Sequence, residues 1–296
     1  MEKHFTLEEK VISLINKSLC KIKPTQRDTA LQLLSNALEQ AERISTFSSK
    51  TYYFNEIASA YAKLGDKEKC LEVLERAIKV AQAISDDGIK ATELSKLGSN
   101  YANIGLAERG LELLDQAFQI ATLVEDVDER DFSLCDVAYA YGEMGLNDLA
   151  IEIAKLIYDK FRAGLRIFDP LILDSINLAQ HEQVLKFIEA SEDIGETWII
   201  TLAIERYTKL ADYDHPLQFF ERLKLPESKI LVLANLAKAH LQAGNSETAL
   251  KLRSQAIAIA ETIKDKNSLA FARELIKSID SSMRKSKQHR QIYSSS

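Results

Sequence analysis

The sequence predicts an all-α protein built as a stacked array of about seven antiparallel helix hairpins and a C-terminal capping helix. Three observations predict it. One phrase recurs, as Tyr61-Ala-Lys-Leu-Gly65, Tyr101-Ala-Asn-Ile-Gly105 and Tyr141-Gly-Glu-Met-Gly145, with its glycines 40 residues apart. A fixed period in that range marks a repeat architecture. Each phrase is followed by an amphipathic run, at 70–83, 110–121 and 150–157. Ten Gly and four Pro in 296 residues leave few helix breakers.

Composition narrows the function classes. With 46% apolar and 28% charged residues, the chain falls in the soluble globular range. Its net charge of −6 opposes a nucleic-acid binder, whose usual footprint is a basic stripe. No apolar run exceeds five residues and residues 1–10 lack the apolar core of a signal peptide, so a cytoplasmic protein is expected. Cys20, Cys70 and Cys135 are odd in number and far apart, and are read as buried thiols in a reducing compartment.

Taken in order, residues 7–22 carry Val11, Ile12, Leu14, Ile15, Leu19 and Ile22 on one helical face. Pro24-Thr25 interrupts that helix, because proline disfavours helix in the residue before it. Residues 30–44 form a second helix that overlays 70–84 at an offset of 40, a degenerate copy of the later hairpins. From 52 the pattern is clean: helix 52–64, a turn at Gly65, then helix 68–84. Glycine stops the first helix because it enters the left-handed region without a Cβ clash. Asp86-Asp87-Gly88 caps the next unit. Units at 90–124 and 131–161 repeat the scheme.

Beyond Phe161 the glycine slot continues through Ala179, Ala211 and Gly244, at shorter intervals. Asp169-Pro170 reads as a helix cap with proline in the first turn. Helix 198–210 pairs with 216–223, and 229–243 with 247–263. The expected organisation is one array over 1–283: long repeats in 1–162, shorter degenerate ones in 163–265, and the cap at 266–283. Residues 284–296 are basic, then Ser-rich, and are read as a disordered tail.

These residues resemble the tetratricopeptide repeat (TPR) family. The unit Leu94, Leu97-Gly98, Tyr101, Gly105, Gly110, Leu114, Ala117 carries its signature best. Phe54, Ile57-Ala58, Tyr61, Gly65, Cys70, Leu74, Ala77 carries it again, and Leu233, Leu236-Ala237, His240, Gly244, Ala249, Arg253, Ala256 more weakly. The 40-residue period exceeds the family's 34, as in long-helix relatives. The resemblance implies a right-handed α-solenoid. It also implies that small residues (Ala58, Gly98, Ala138, Ala237) let paired helices approach, and that each hairpin's first helix lines a concave groove.

Carried over slot by slot, that geometry places Tyr52, Asn55, Ser59 and Lys63 in the groove from one unit, and Thr92, Ser95, Ser99 and Asn103 from the next. It adds Phe132, Cys135, Tyr139 and Glu143, then Arg166, Trp198, Thr201, Glu205, Lys238 and Gln242. This set is polar with interleaved aromatics, the composition of interface anchors. Trp198 fits a packing role between hairpins equally well. The paired Lys/Asn grip that some members use on a carboxylate terminus is not written here.

Catalytic chemistry finds no foothold. The five histidines fall in different elements, none spaced with Cys, Asp or Glu as metal ligands, and His240 occupies the tyrosine slot. There is no phosphate-cradling glycine cluster and no nucleophile elbow. No cofactor or metal is expected. The leading expectation is a non-enzymatic scaffold or adaptor that binds a protein or peptide partner in the groove. An alternative is a regulatory sensor whose superhelix closes on a peptide or small ligand, suggested by the change of period near Phe161. Helical-repeat RNA binding is a third, opposed by the acidic balance despite Arg284, Lys285, Lys287 and Arg290 in the tail.

Overall fold

The computed structural model describes residues 6–21, 26–195 and 197–293, with side chains up to 286 in the last helix. No β-strand occurs among them. The chain divides into two compact units, Met1–Asp159 and Lys160–Ser296.

The first unit holds four hairpins: α1 (Leu7–Leu19) with α2 (Arg27–Glu42), α3 (Phe47–Lys63) with α4 (Lys67–Gln82), α5 (Asp87–Asn103) with α6 (Ala107–Leu123), and α7 (Val127–Glu143) with α8 (Asn147–Leu156). The Pro24-Thr25 interruption and Ile22 lie outside the described residues. First helices of successive hairpins pack on one another, α1 on α3, α3 on α5 and α5 on α7. Each second helix packs on its own partner, and α2, α4 and α6 pack also on the next first helix.

Local chemistry sets the ends of these helices. The carboxylates of Asp66, Asp86 and Asp126 accept the amides of Lys69, Ile89 and Glu129 at 3.0, 2.8 and 3.0 Å, satisfying donors that have no partner within the helix. At each stop the chain turns through positive φ, at Gly65, Gly105 and Gly145. There the amide two places beyond the tyrosine's own turn bonds back to it: Asp66 to Tyr61, Leu106 to Tyr101 and Leu146 to Tyr141, at 2.9–3.0 Å. This is the six-to-one bond of a Schellman stop.

Packing follows from the small-residue positions. A Cβ built on Gly98 would meet the Gly110 carbonyl oxygen at 2.9 Å, and one on Gly110 would meet the Gly98 carbonyl oxygen at 2.6 Å. Helices α5 and α6 therefore cross backbone to backbone. Around the crossings Phe54, Ile57, Leu74, Leu94, Leu97, Tyr101 and Leu113 are fully buried. Each such side chain contributes about 1.5–3 kcal/mol of apolar burial.

The second unit contains α9 (Lys160–Ala163), a π-helical turn (Gly164–Phe168), α10 (Asp169–Asn177), α11 (His181–Asp193), α12 (Trp198–Lys209), α13 (Asp214–Arg222), α14 (Pro226–Gln242), α15 (Ser246–Ala260) and α16 (Lys266–Tyr293). The left-handed slot persists here, filled by alanine in two of three places: Ala179 and Ala211 have φ of 56° and 58°, and Gly244 has 87°. The same back-bond recurs from Gln180 to Ser175, Asp212 to Tyr207 and Asn245 to His240.

Two features depart from the sequence reading. Asp169 does not open a fresh helix, because the chain enters α10 through the π-helical turn, and its carboxylate accepts Arg206 Nη2 at 2.5 Å instead of capping. Pro170 lacks the N–H that an ordinary α-turn would use, and a wider turn absorbs the gap. Cys20 is exposed, unlike Cys70 and Cys135, which are buried as expected.

Helix α16 packs on α14 as one first helix packs on another, and no second helix follows it among the described residues. Ala272 and Ile279 are its buried contacts, and Arg253 of α15 holds Asp280 through two bonds of 2.5 and 3.1 Å. It runs on to Tyr293, beyond the boundary at 283 read from the sequence; residues 294–296 lie outside the described residues.

Candidate functional site

In the first unit the contacts between α1, α3, α5 and α7 leave one continuous face made by first helices. The repeat period places Tyr52, Thr92 and Phe132 in one row across it. Tyr52 and Phe132 are 42% and 47% exposed, unusually open for aromatic rings, and Thr92 between them is half-buried. Thr92 and Phe132 line a cavity of about 210 Å³ with Ile89, Gly88 and Ser133, edged by Asp86 and Glu129.

Toward the C-terminal ends of α3 and α5 the surface turns polar. Ser59, Lys63 and Asn103 line a second cavity of about 330 Å³, with Asn100 and Ile104 beside them. Lys63 and Asn103 are exposed and Ser59 is half-buried. On α7 the equivalent row continues as half-buried Tyr139 and exposed Glu143.

Other residues assigned to the groove from sequence serve the packing instead. Asn55 is 7% exposed, and its Oδ1 accepts Asn100 Nδ2 at 2.6 Å, tying α3 to α5. Ser95 is buried and donates to the Thr92 carbonyl at 2.8 Å, and Cys135 is fully buried. Ser99 is buried, its hydroxyl without a hydrogen-bond partner. Beside it on α5, buried Glu93 holds Lys96 at 2.9 Å, and burial raises its pKa above the usual carboxylate value.

The second unit places its candidates in two settings. Trp198 is half-buried, with its ring 5.6 Å from that of Phe161, and a Cβ on Gly164 would lie 3.1 Å from its Cζ2. It thus packs on the α9–π segment. Thr201 accepts Asn235 Nδ2 at 3.0 Å, joining α12 to α14. Lys238 and Gln242 line a cavity of about 570 Å³ with Ser282, Lys285 and Ser286 of α16. Burial lowers the Lys238 pKa, and Glu205 partly opposes that shift.

Among the described residues no group of three or more His, Cys, Asp and Glu could hold a metal ion. Burial, then the nearby Asp66, pushes the Cys70 thiol up to about 11, away from the reactive thiolate. No helix among the described residues is long and apolar enough to cross a membrane.

The recurring stop, left-handed at glycine and alanine alike, and the backbone contact at Gly98 and Gly110 are the marks of a helix-hairpin repeat. Residues 51–84 match the family model described as Tetratricopeptide repeat. The chain is a TPR-like helical-repeat protein. Residues 205–283, spanning most of α12 to α16, match a second model, described as Anaphase-promoting complex subunit 5. No curated protein matches the chain.

Among solved structures, this TPR-like chain is similar to Ton1535 from Thermococcus onnurineus NA1, at 16% identity and a TM-score of 0.48, covering 92% of each chain. It is also similar to a putative kinesin light chain with nearly identical TPR-like repeats from Podosopora anserina. That match has 18% identity and a TM-score of 0.35, over 86% of this chain and 97% of that one. The apo quorum sensor NprR from B. thuringiensis matches at 16% identity and a TM-score of 0.29, over 90% of this chain and 81% of that one. These superpositions are loose, and the TPR-like assignment rests on the hairpins themselves.

Proposed function

We propose that the protein is a non-enzymatic scaffold that binds an extended segment of a partner protein along the first-helix face of its N-terminal hairpins. One observation carries this reading: residues assigned to the groove by repeat position line two cavities at opposite ends of α5, Thr92 and Phe132 in one, Ser59, Lys63 and Asn103 in the other. The first offers apolar surface with one open aromatic ring, Phe132, the second hydrogen-bond donors and one cation. That is the division a peptide needs, with side-chain anchors at one end and backbone or acidic groups at the other. The second matched model describes a subunit of a multi-protein complex, the setting in which a scaffold works.

The test uses side chains at the exposed surface of this face. Tyr52, Lys63, Asn103 and Phe132 are all exposed, so Tyr52→Ala, Lys63→Ala, Asn103→Ala and Phe132→Ala together should leave helicity and melting unchanged. Quantitative affinity capture from the source cell, wild type against this variant, should show specific partners lost by about 30-fold or more, the scale of one or two interface anchors. Undiminished capture by the folded variant sinks the assignment of this face.

A further inference from the structure

The second unit brings two histidines face to face. His181 opens α11 and His215 lies in the first turn of α13, with ring centroids 3.6 Å apart and planes 20° from parallel. Nδ1 of His215 is 2.5 Å from Asp212 Oδ2, and the other Asp212 oxygen accepts the amides of Asp214 and His215 at 3.2 Å. His181 Nδ1 is 2.8 Å from the hydroxyl of Tyr207, which is buried.

Tyr207 occupies the slot of Tyr101 and Tyr141. Those two hydroxyls donate to carboxylates 26 residues earlier, Glu75 and Asp115, on the preceding second helix. At the same separation Tyr207 meets an imidazole. The joint between the fifth and sixth hairpins has therefore exchanged a carboxylate partner for an imidazole.

Proton counting gives the consequence. Asp212 offers the stacked pair a single compensating negative charge, 2.5 Å from the ring of His215. A second proton on His181 would set two cations 3.6 Å apart against one carboxylate. Tyr207, its pKa pushed up to about 12 by burial, supplies no charge. The remaining charged groups nearby are committed or lie outward. Arg222 of α13 holds Glu182 and Glu189 of α11 at 2.7 and 2.6 Å, and Asp214 is exposed. In the next hairpin His240 stacks on Tyr213 with centroids 4.4 Å apart. Burial, then His215, lowers the pKa of His181, while Asp212 acts in the opposite sense.

We propose that the His181–His215 stack is an acid-released latch, closed near neutral pH and opening the α11/α12–α13 joint in mild acid, while the Tyr101–Glu75 and Tyr141–Asp115 latches stay closed. Below about pH 6.5 an unfolded chain protonates both histidines, whereas in the closed joint one carboxylate faces the two stacked rings and a second charge there is opposed. A group whose pKa is depressed by folding and whose charged form is cationic loses its stabilising effect as pH falls. The opening constant therefore rises by up to about tenfold per pH unit below that point, until the closed state takes the second proton.

The experiment is amide exchange on the full chain between about pH 7.5 and pH 5. Protection of α12 amides is compared with that of α5 amides in the same molecules. Wild-type α12 should lose protection by up to tenfold per pH unit while α5 holds. His181→Gln, which cannot charge and still offers an oxygen to Tyr207, should flatten that slope, whereas His240→Gln, which removes a separate imidazole whose pKa burial also lowers, should leave α12 with a clear slope. A flat wild-type profile overturns the latch, as does an equal slope in His181→Gln or a slope removed by His240→Gln. Should His181→Gln misfold, imidazole NMR titration of the wild type decides: the latch requires the stack to take up its protons in two separated steps. Two independent titrations at the ordinary histidine value overturn it.

Discussion

The Tyr101 hydroxyl donates to Glu75 at 2.7 Å, and 40 residues further on Tyr141 makes the same bond to Asp115 at 2.5 Å. Each bond reaches from a first helix to the second helix of the hairpin before it. The tyrosine of the repeated phrase thus does two things at once: its backbone carbonyl closes its own hairpin's turn, and its side chain grips the neighbouring hairpin.

Removing that grip should cost little but measurably. Tyr101→Phe keeps the ring and loses one charge-assisted bond, and since Glu75 is exposed and stays hydrated, the loss should be about 1 kcal/mol. A double-mutant cycle with Glu75→Gln in urea denaturation should return a coupling of about that size. Burial and then Glu75 hold the phenol's pKa above the ordinary tyrosine value. The folded state therefore retains a proton that the unfolded chain releases, and this contribution to stability fades as pH rises past about 10. Tyr101→Phe should show a weaker alkaline loss than wild type.

Ala179 and Ala211 adopt a conformation suited to glycine, with φ of 56° and 58°. Ala179→Gly and Ala211→Gly should each stabilise the second unit, by about 0.5–1 kcal/mol after the added freedom of the unfolded chain is counted. Gly65→Ala, at φ 76°, should destabilise by a similar amount. Paired chemical denaturation curves would show opposite shifts, and a loss of stability in both alanine-to-glycine variants would contradict the strain argument.

The crossing of α5 and α6 allows less. Gly110→Ala places a methyl 2.6 Å from a backbone oxygen, an approach that only helix movement can relieve. Overpacking of this kind costs about 1–3 kcal/mol, and outweighs the roughly 1 kcal/mol that alanine gains in helix propensity. Gly88→Ala, whose added Cβ would meet nothing closer than 3.5 Å, is the control and should be neutral or mildly stabilising. Thermal melts of the two variants should move in different directions.

Much of the fold was legible because its signals are local and repeat. The left-handed stop could be followed into Ala179 and Ala211 by spacing alone, since the turn demands the conformation whichever small residue occupies it. The π-helical turn was not legible: Asp169-Pro170 carries a cap signature, and only Arg206, 37 residues away, draws the carboxylate elsewhere. The same limit separates Ser59 from Asn55 in the candidate groove. Repeat position assigns both to the same face of α3, yet Asn55 is taken up by Asn100 of the next hairpin, a partner that the pattern within one unit does not reveal. The histidine stack had a faint signal, because His181 and His215 are 34 residues apart, close to the local repeat length, at the start of successive second helices.

Helix α16 has a bearing on how the C-terminal unit comes apart. Hairpins in a row lean only on their neighbours, so each helix shields the one before it. With Ala272 and Ile279 buried and the Arg253–Asp280 fork across it, α16 acts as a doorstop: while it stays docked, the α14–α15 hairpin keeps its packed face away from proteases.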